Sequence, residues 1–127
     1  MSKLYNVGLV GATGLIGKKF IDVLQKENFP VGKIKLFASK KSVGKTVYAF
    51  GKELTVQTLS DGCFLGLDIV FFSAGKEVSL KYAPKAINDG AFVIDNSSAF
   101  RKKDLVPLVI PEINGDLLKT SESRLIA

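Results

Sequence analysis

Gly11, Gly14 and Gly17 stand at equal spacing directly behind a short apolar run, Tyr5 to Val10, and directly ahead of a segment with helical apolar spacing. No other feature of the chain restricts its fold so much. A buried strand, a turn of small residues and a helix in immediate succession form the opening of a β-α-β unit. Glycine lets the backbone turn tightly, and a glycine one turn into the helix lets helix and sheet approach closely. Gly8 inside the strand fits the same close packing. This arrangement also aims main-chain N–H groups and the positive end of the helix at one point, where a pyrophosphate can be held. Tight turns that bind nothing use the same spacing, so the position between strand and helix carries the reading.

The rest of the chain continues the pattern. Ile16, Phe20, Val23 and Leu24 are expected to form the apolar stripe of a first helix that stops before Pro30. Lys33 to Ala38 reads as a second strand and Ser39 to Lys45 as a polar loop. Thr46 to Phe50 and Glu53 to Thr58 alternate around Gly51-Lys52 as a hairpin. Asp68 to Phe72 is a further strand, followed by a helix over Val78 to Asn88 with a break or kink at Pro84 and a stop at Gly90. Ala91 to Ile94 is the next strand. Leu108 to Ile110, between two prolines, is a short or edge strand, Asn114 to Lys119 one or two helical turns, and Arg124 to Ala127 the start of another strand. The expected class is α/β: a Rossmann-like, doubly wound, mostly parallel sheet with a β-hairpin insertion. The apolar end at Ala127 carries no stop signal, so the sequence is expected to be the first part of a longer protein.

Composition narrows the chemistry. The 127 residues are 46% apolar and 24% charged, the balance of one globular domain. Eighteen Lys and Arg against 12 Asp and Glu give a net charge of +6. The basic residues are scattered and not interleaved with aromatics, so no nucleic-acid partner is expected. No apolar run approaches the length of a membrane helix, and no leader opens the chain; a cytoplasmic location and no membrane partner are expected. With no histidine and one cysteine, the chain offers no Cys-His pair, no Ser-His-Asp triad and no Cys/His zinc site. Cys63 precedes the Asp68–Phe72 strand, at the amino end of the sheet, and reads as a small apolar residue without a catalytic role.

Ligands of open parallel sheets sit beyond the carboxyl ends of the strands, and three polar clusters fall there. The second strand ends in Ala38-Ser39-Lys40-Lys41-Ser42, with no Asp or Glu to take the ribose hydroxyls of NAD. Ser39, Lys41 and Ser42 instead suit the 2′-phosphate of NADP; a solvated charged loop is the alternative. Ser73, Ala74 and Gly75 are placed to meet the nicotinamide side through backbone groups. Asp95-Asn96-Ser97-Ser98 follows the next strand with Arg101 close behind, and its guanidinium suits capture of a phosphate or carboxylate. A surface arginine beside a capped turn is the plain alternative.

Six separated segments together resemble the amino-terminal half of bacterial-type aspartate-β-semialdehyde dehydrogenases. They are Val10-Gly11-Ala12-Thr13-Gly14-Leu15-Ile16-Gly17, Ala38 to Lys45, Phe72-Ser73-Ala74-Gly75, Tyr82-Ala83-Pro84, Asp95 to Arg101 and Val106 to Asn114. The resemblance runs along essentially the whole chain. It implies an NADP-binding domain over residues 1–127 of a two-domain, homo-oligomeric enzyme of amino-acid biosynthesis. Such an enzyme reduces β-aspartyl phosphate to aspartate semialdehyde through a cysteine thioester. By this similarity Thr13, Gly14, Leu15 and Ile16 meet the pyrophosphate, Lys41 and Ser42 the adenosine end, and Arg101 the substrate phosphate with Asn96 nearby. The family's cysteine and histidine have no counterpart in these residues, so the chain alone is expected to bind NADP(H) weakly and to catalyse nothing. Two alternatives remain. N-acetyl-γ-glutamyl-phosphate reductase shares the chemistry, but its counterpart segment usually carries an acid where this chain has Ser98-Ala99-Phe100. A free-standing, non-catalytic NADP-binding module is the other.

Overall fold

The computed structural model describes residues 4–96 and the backbone of a short strand at 125–126. Seven strands and two helices follow in the order β1 (Tyr5–Val10), α1 (Leu15–Lys26), β2 (Val31–Phe37), β3 (Thr46–Ala49), β4 (Lys52–Gln57), β5 (Ile69–Phe72), α2 (Lys76–Asn88), β6 (Phe92–Asp95) and β7 (Leu125–Ile126). They form one sheet in the order β3-β4-β2-β1-β5-β6-β7. Every pairing is parallel except β3 with β4. With the β3 edge set aside, β1 lies between a first half that winds towards β4 and a second that winds towards β7. That is the doubly wound order of dinucleotide-binding sheets, with its switch point between β1 and β5. The expected edge strand at Leu108–Ile110 and the helical turns at Asn114–Lys119 lie outside the described residues.

The core is divided by the sheet. Successive side chains of a strand face opposite sides, so Val7 and Leu9 join Ile21, Leu24 and Leu36 under α1. Val10, Val70 and Phe72 join Phe37, Phe64, Ala83 and Ala86 on the α2 side. The α1 layer is closed over β5 by a stack of Phe20 on Phe71, with ring centres 4.1 Å apart.

The apolar stripe of α1 differs in phase from the expected one. Gly17, Ile21 and Leu24 are buried and Phe20 half-buried, whereas Ile16 and Val23 are exposed. Gly17, Phe20, Ile21 and Leu24 recur at i, i+3, i+4 and i+7, so the contact of Gly17 with the turn sets the rotation of the helix. The helix ends before Pro30 is reached. Asn28 takes a left-handed φ of 52°, and Phe29 and Asn28 donate to Leu24 and Gln25 at 3.0 and 3.2 Å. Those two bonds satisfy carbonyls that the end of a helix leaves open. Gly90 ends α2 in the same manner, through Ala91 to Ala86 and Gly90 to Ile87. Pro84 does not break α2, which runs continuously past it. The hairpin turns one residue earlier than expected, at Phe50-Gly51. Both have positive φ, and the Phe50 N–H is held by Gln25 Oε1 at 2.9 Å.

Candidate functional site

The sheet order sets the carboxyl ends of β2, β1, β5 and β6 side by side, and each of the polar clusters read from the sequence begins at one of them. The glycine turn is the centre of the row. Gly11 and Ala12 both donate to the Phe37 carbonyl, at 2.8 and 3.1 Å, which pins the turn to the end of β2. Gly11 has a φ of 95°, and a Cβ there would stand 2.8 Å from the Ser73 backbone and hydroxyl. Only glycine meets both conditions. At Gly17 a Cβ would stand 2.3 Å from the Gly11 carbonyl oxygen, so the close contact of this glycine is with the turn itself, where the sequence pointed to the sheet. Gly14 is different. Its backbone is extended, a Cβ would meet Gly11 only at an ordinary 3.5 Å, and it faces solvent.

Gly14 is the N-cap of α1, without a side-chain cap and without an acid in the first turn of the helix. The leading N–H groups of α1 therefore present positive charge beside a backbone that Gly14 leaves uncovered, the conditions a pyrophosphate requires. Leu15 is 87% exposed and Ile16 is exposed beside it. The residues present fit a dinucleotide there.

Ser39, Lys40 and Lys41 are exposed on the loop after β2, while Ser42 is only 8% exposed. The loop is held by backbone bonds from Ser42 to Ser39 and from Lys45 to Ser42, at 2.9 and 3.1 Å. Gly44 and Lys45 also exchange bonds with Val56 of β4, at 3.0 and 2.8 Å. The hairpin thus serves as a brace for this loop. The Ser42 hydroxyl turns towards the glycine turn and lies 3.3 Å from the Thr13 hydroxyl. Two motifs 29 residues apart in sequence therefore share one wall.

On the other side of β1, the Ser73 N–H and hydroxyl both donate to the Val10 carbonyl, at 2.8 and 3.1 Å. That hydroxyl is committed to the fold, which leaves backbone groups of the segment to face a ligand. Ala74 and Gly75 are exposed, and Gly75 is the uncapped N-cap of α2. Asn96 is exposed at the end of β6, where its N–H donates to the Phe72 carbonyl at 2.9 Å. Arg101, with Ser97 and Ser98, lies outside the described residues.

One buried polar pair beside this row has no place in the sequence reading. Ser79 of α2 donates to Asp95 of β6 at 2.9 Å, with the two residues 0% and 2% exposed. The bond ties the first turns of α2 to the end of β6 and so fixes Gly75 relative to Asn96. Strand periodicity carries the signal, since Asp95 is two residues after the buried Val93 and shares its face.

The opposite edge of the sheet has another character. A hollow of about 420 Å³ is lined there by Asp61, Gly62, Pro84, Lys85, Asn88 and Asp89. Lys85 hydrogen-bonds Asp61 and, with its charge, holds that carboxyl below its ordinary range. Cys63 packs against the core at this edge, and burial pushes its thiol up from the ordinary value. It lies away from the ligand side, as read from the sequence. No helix among the described residues is long and apolar enough to cross a membrane, and no group of three or more metal-ligating side chains is found among them.

Comparison with known proteins agrees with this geometry. The family model for the semialdehyde dehydrogenase NAD-binding domain matches residues 6–121. The aspartate-semialdehyde dehydrogenase of Aquifex aeolicus is 49% identical over 121 residues, which are 94% of this chain and 36% of that protein. Aspartate semialdehyde dehydrogenase II of Vibrio cholerae, solved in complex with ASA, superimposes with a TM-score of 0.93 at 41% identity, covering 99% of this chain and 38% of that one. The enzyme of Candida albicans, solved with NADP, gives 0.78 at 27% identity, covering 92% and 36%. The chain thus spans little more than a third of the length of these relatives. With its glycine turn at the switch point of a doubly wound sheet, the chain belongs to the semialdehyde dehydrogenase NAD-binding domain family.

Proposed function

We propose that the chain holds NADP(H) across the carboxyl ends of β2, β1 and β5 as the cofactor-binding part of an aspartate-β-semialdehyde dehydrogenase. The complete enzyme, a cytoplasmic homo-oligomer, reduces β-aspartyl phosphate to aspartate semialdehyde and releases phosphate. The observation that carries this reading is the Thr13–Ser42 contact, which joins the phosphate-receiving turn and the basic loop into one wall. Gly11, Thr13, Gly14, Leu15 and Ile16 would hold the pyrophosphate with main-chain donors and the helix end. Ser39, Lys41 and Ser42 would hold the 2′-phosphate, which a carboxylate at this place would repel. Ser73, Ala74 and Gly75 would border the nicotinamide through their backbone. Asn96 and Arg101 would anchor the substrate phosphate.

NADPH, when bound, supplies the hydride. The chain's own residues would bind and orient that donor. The thiol that forms the acyl link in this chemistry is not Cys63, the one cysteine of the sequence, because it sits at the far edge of the sheet. Calorimetric titration should show NADPH binding more tightly than NADH. Lys41→Ala should weaken NADPH about tenfold or more, the worth of a charge-assisted hydrogen bond, and leave NADH nearly unchanged. Equal affinity for both cofactors would contradict the NADP assignment. The chain alone should show no phosphate-dependent oxidation of aspartate semialdehyde, and turnover would contradict the placing of the nucleophile elsewhere.

A further inference from the structure

We propose that Thr13 is a positioning residue for the choice of NADPH over NADH, acting through Ser42 and not only at the pyrophosphate. The inference rests on the cofactor reading above and assigns to the glycine turn a part in selectivity that its position in sequence does not suggest.

Thr13 is half-buried in the turn, and its hydroxyl is 3.3 Å from that of Ser42. Ser42 is nearly enclosed, and its backbone is fixed by bonds to Ser39 and from Lys45, which holds the residue beside the glycine turn. Each hydroxyl has one proton and can both donate and accept. A 2′-phosphate dianion only accepts. When it meets Ser42, the Ser42 proton must go to the phosphate, and the Ser42 oxygen is left to accept from Thr13. The chain of bonds then runs in one direction, from Thr13 to Ser42 to phosphate, and each bond polarises the next. A ribose 2′-hydroxyl imposes no such direction, because it can donate to Ser42 as readily as accept. The Thr13 hydroxyl therefore strengthens binding of the phosphorylated cofactor selectively. Lys41, exposed on the same loop, adds charge without needing this relay.

The test is a double-mutant cycle on the full chain, with dissociation constants for NADPH and NADH measured by calorimetry and folding checked by circular dichroism. Thr13→Val keeps the shape and removes the hydroxyl. It should lower the preference for NADPH roughly threefold to tenfold, the range expected for one hydrogen bond between uncharged groups. Thr13→Ser should restore it. In a Ser42→Ala background, Thr13→Val should change the ratio no further. A wild-type preference for NADPH that Thr13→Val leaves intact would overturn the proposal, as would an equal loss of both cofactors, which marks a role at the pyrophosphate or in the fold alone. Should Thr13→Val fail to fold, Thr13→Ala is read by the same ratio. A wild-type chain without preference would instead defeat the NADP reading, and this proposal with it.

Discussion

An added Cβ at Gly17 would lie 2.3 Å from the Gly11 carbonyl oxygen, whereas one at Gly14 would lie 3.5 Å from the same atom. The two glycines look alike in sequence and have different reasons to be glycine. Gly17→Ala forces helix and turn apart and should destabilise the chain by about 1–3 kcal/mol, the usual range for overpacking. Gly14→Ala should cost less than about 1 kcal/mol, since its backbone suits any residue and only a cap preference is lost. It should nevertheless abolish dinucleotide binding, because its methyl group would occupy the surface proposed for the pyrophosphate. Denaturant melts and cofactor titrations on both variants check the contrast; comparable stability losses would refute it. At this scale the sequence shows which glycines matter but not which job each holds. Ser42 illustrates the limit from another side. Its polarity and position mark it as a ligand contact, while its burial against Thr13 depends on a loop brace from β4 that no local pattern reveals.

The elements are largely legible in the sequence because apolar runs and turn residues agree with one another. β1 occupies the residues expected of it, and β5, β6 and the hairpin strands differ only at their ends. The phase of α1 escapes the apolar pattern because Ile16 and Val23 are as apolar as Ile21, and only the Gly17 contact decides among them. The stop at Asn28 is hidden since asparagine marks a left-handed position less strongly than the glycine at 90. Pro84 predicts a break, yet α2 continues. A proline in a helix interior removes one N–H and crowds the carbonyl four residues earlier, here that of Leu80. The packing of Ala83 and Ala86 on the core offsets this locally. Pro84→Ala should therefore stabilise the chain by about 1–2 kcal/mol, the helix gain less the loss of unfolded-state restriction. Urea denaturation would show a higher midpoint, and a lower one would mean that the proline is part of the packing.

Across the whole molecule, the two edges of the sheet divide the work. The carboxyl edge gathers the glycine turn, the Ser39–Ser42 loop, the Ser73–Gly75 segment and Asn96, all from separate strands. The amino edge carries Cys63, the Asp61–Lys85 pair and the polar hollow beside them. The alternation of strands and helices along the chain makes this division legible, because a parallel sheet sends every strand's end to the same side. The lateral order of strands is not legible in the same way, and with it the pairing of Thr13 with Ser42. NADPH is proposed to bind at the carboxyl edge, across the β1–β5 switch point. Amide chemical-shift mapping of the labelled chain during NADPH titration tests it most directly. The largest shifts are expected at Gly11 to Ile16, Ser39 to Ser42 and Ser73 to Gly75, with Asp61 to Cys63 and Asp89 unmoved. Shifts concentrated at the Asp61–Asp89 hollow, with the glycine turn silent, would contradict it.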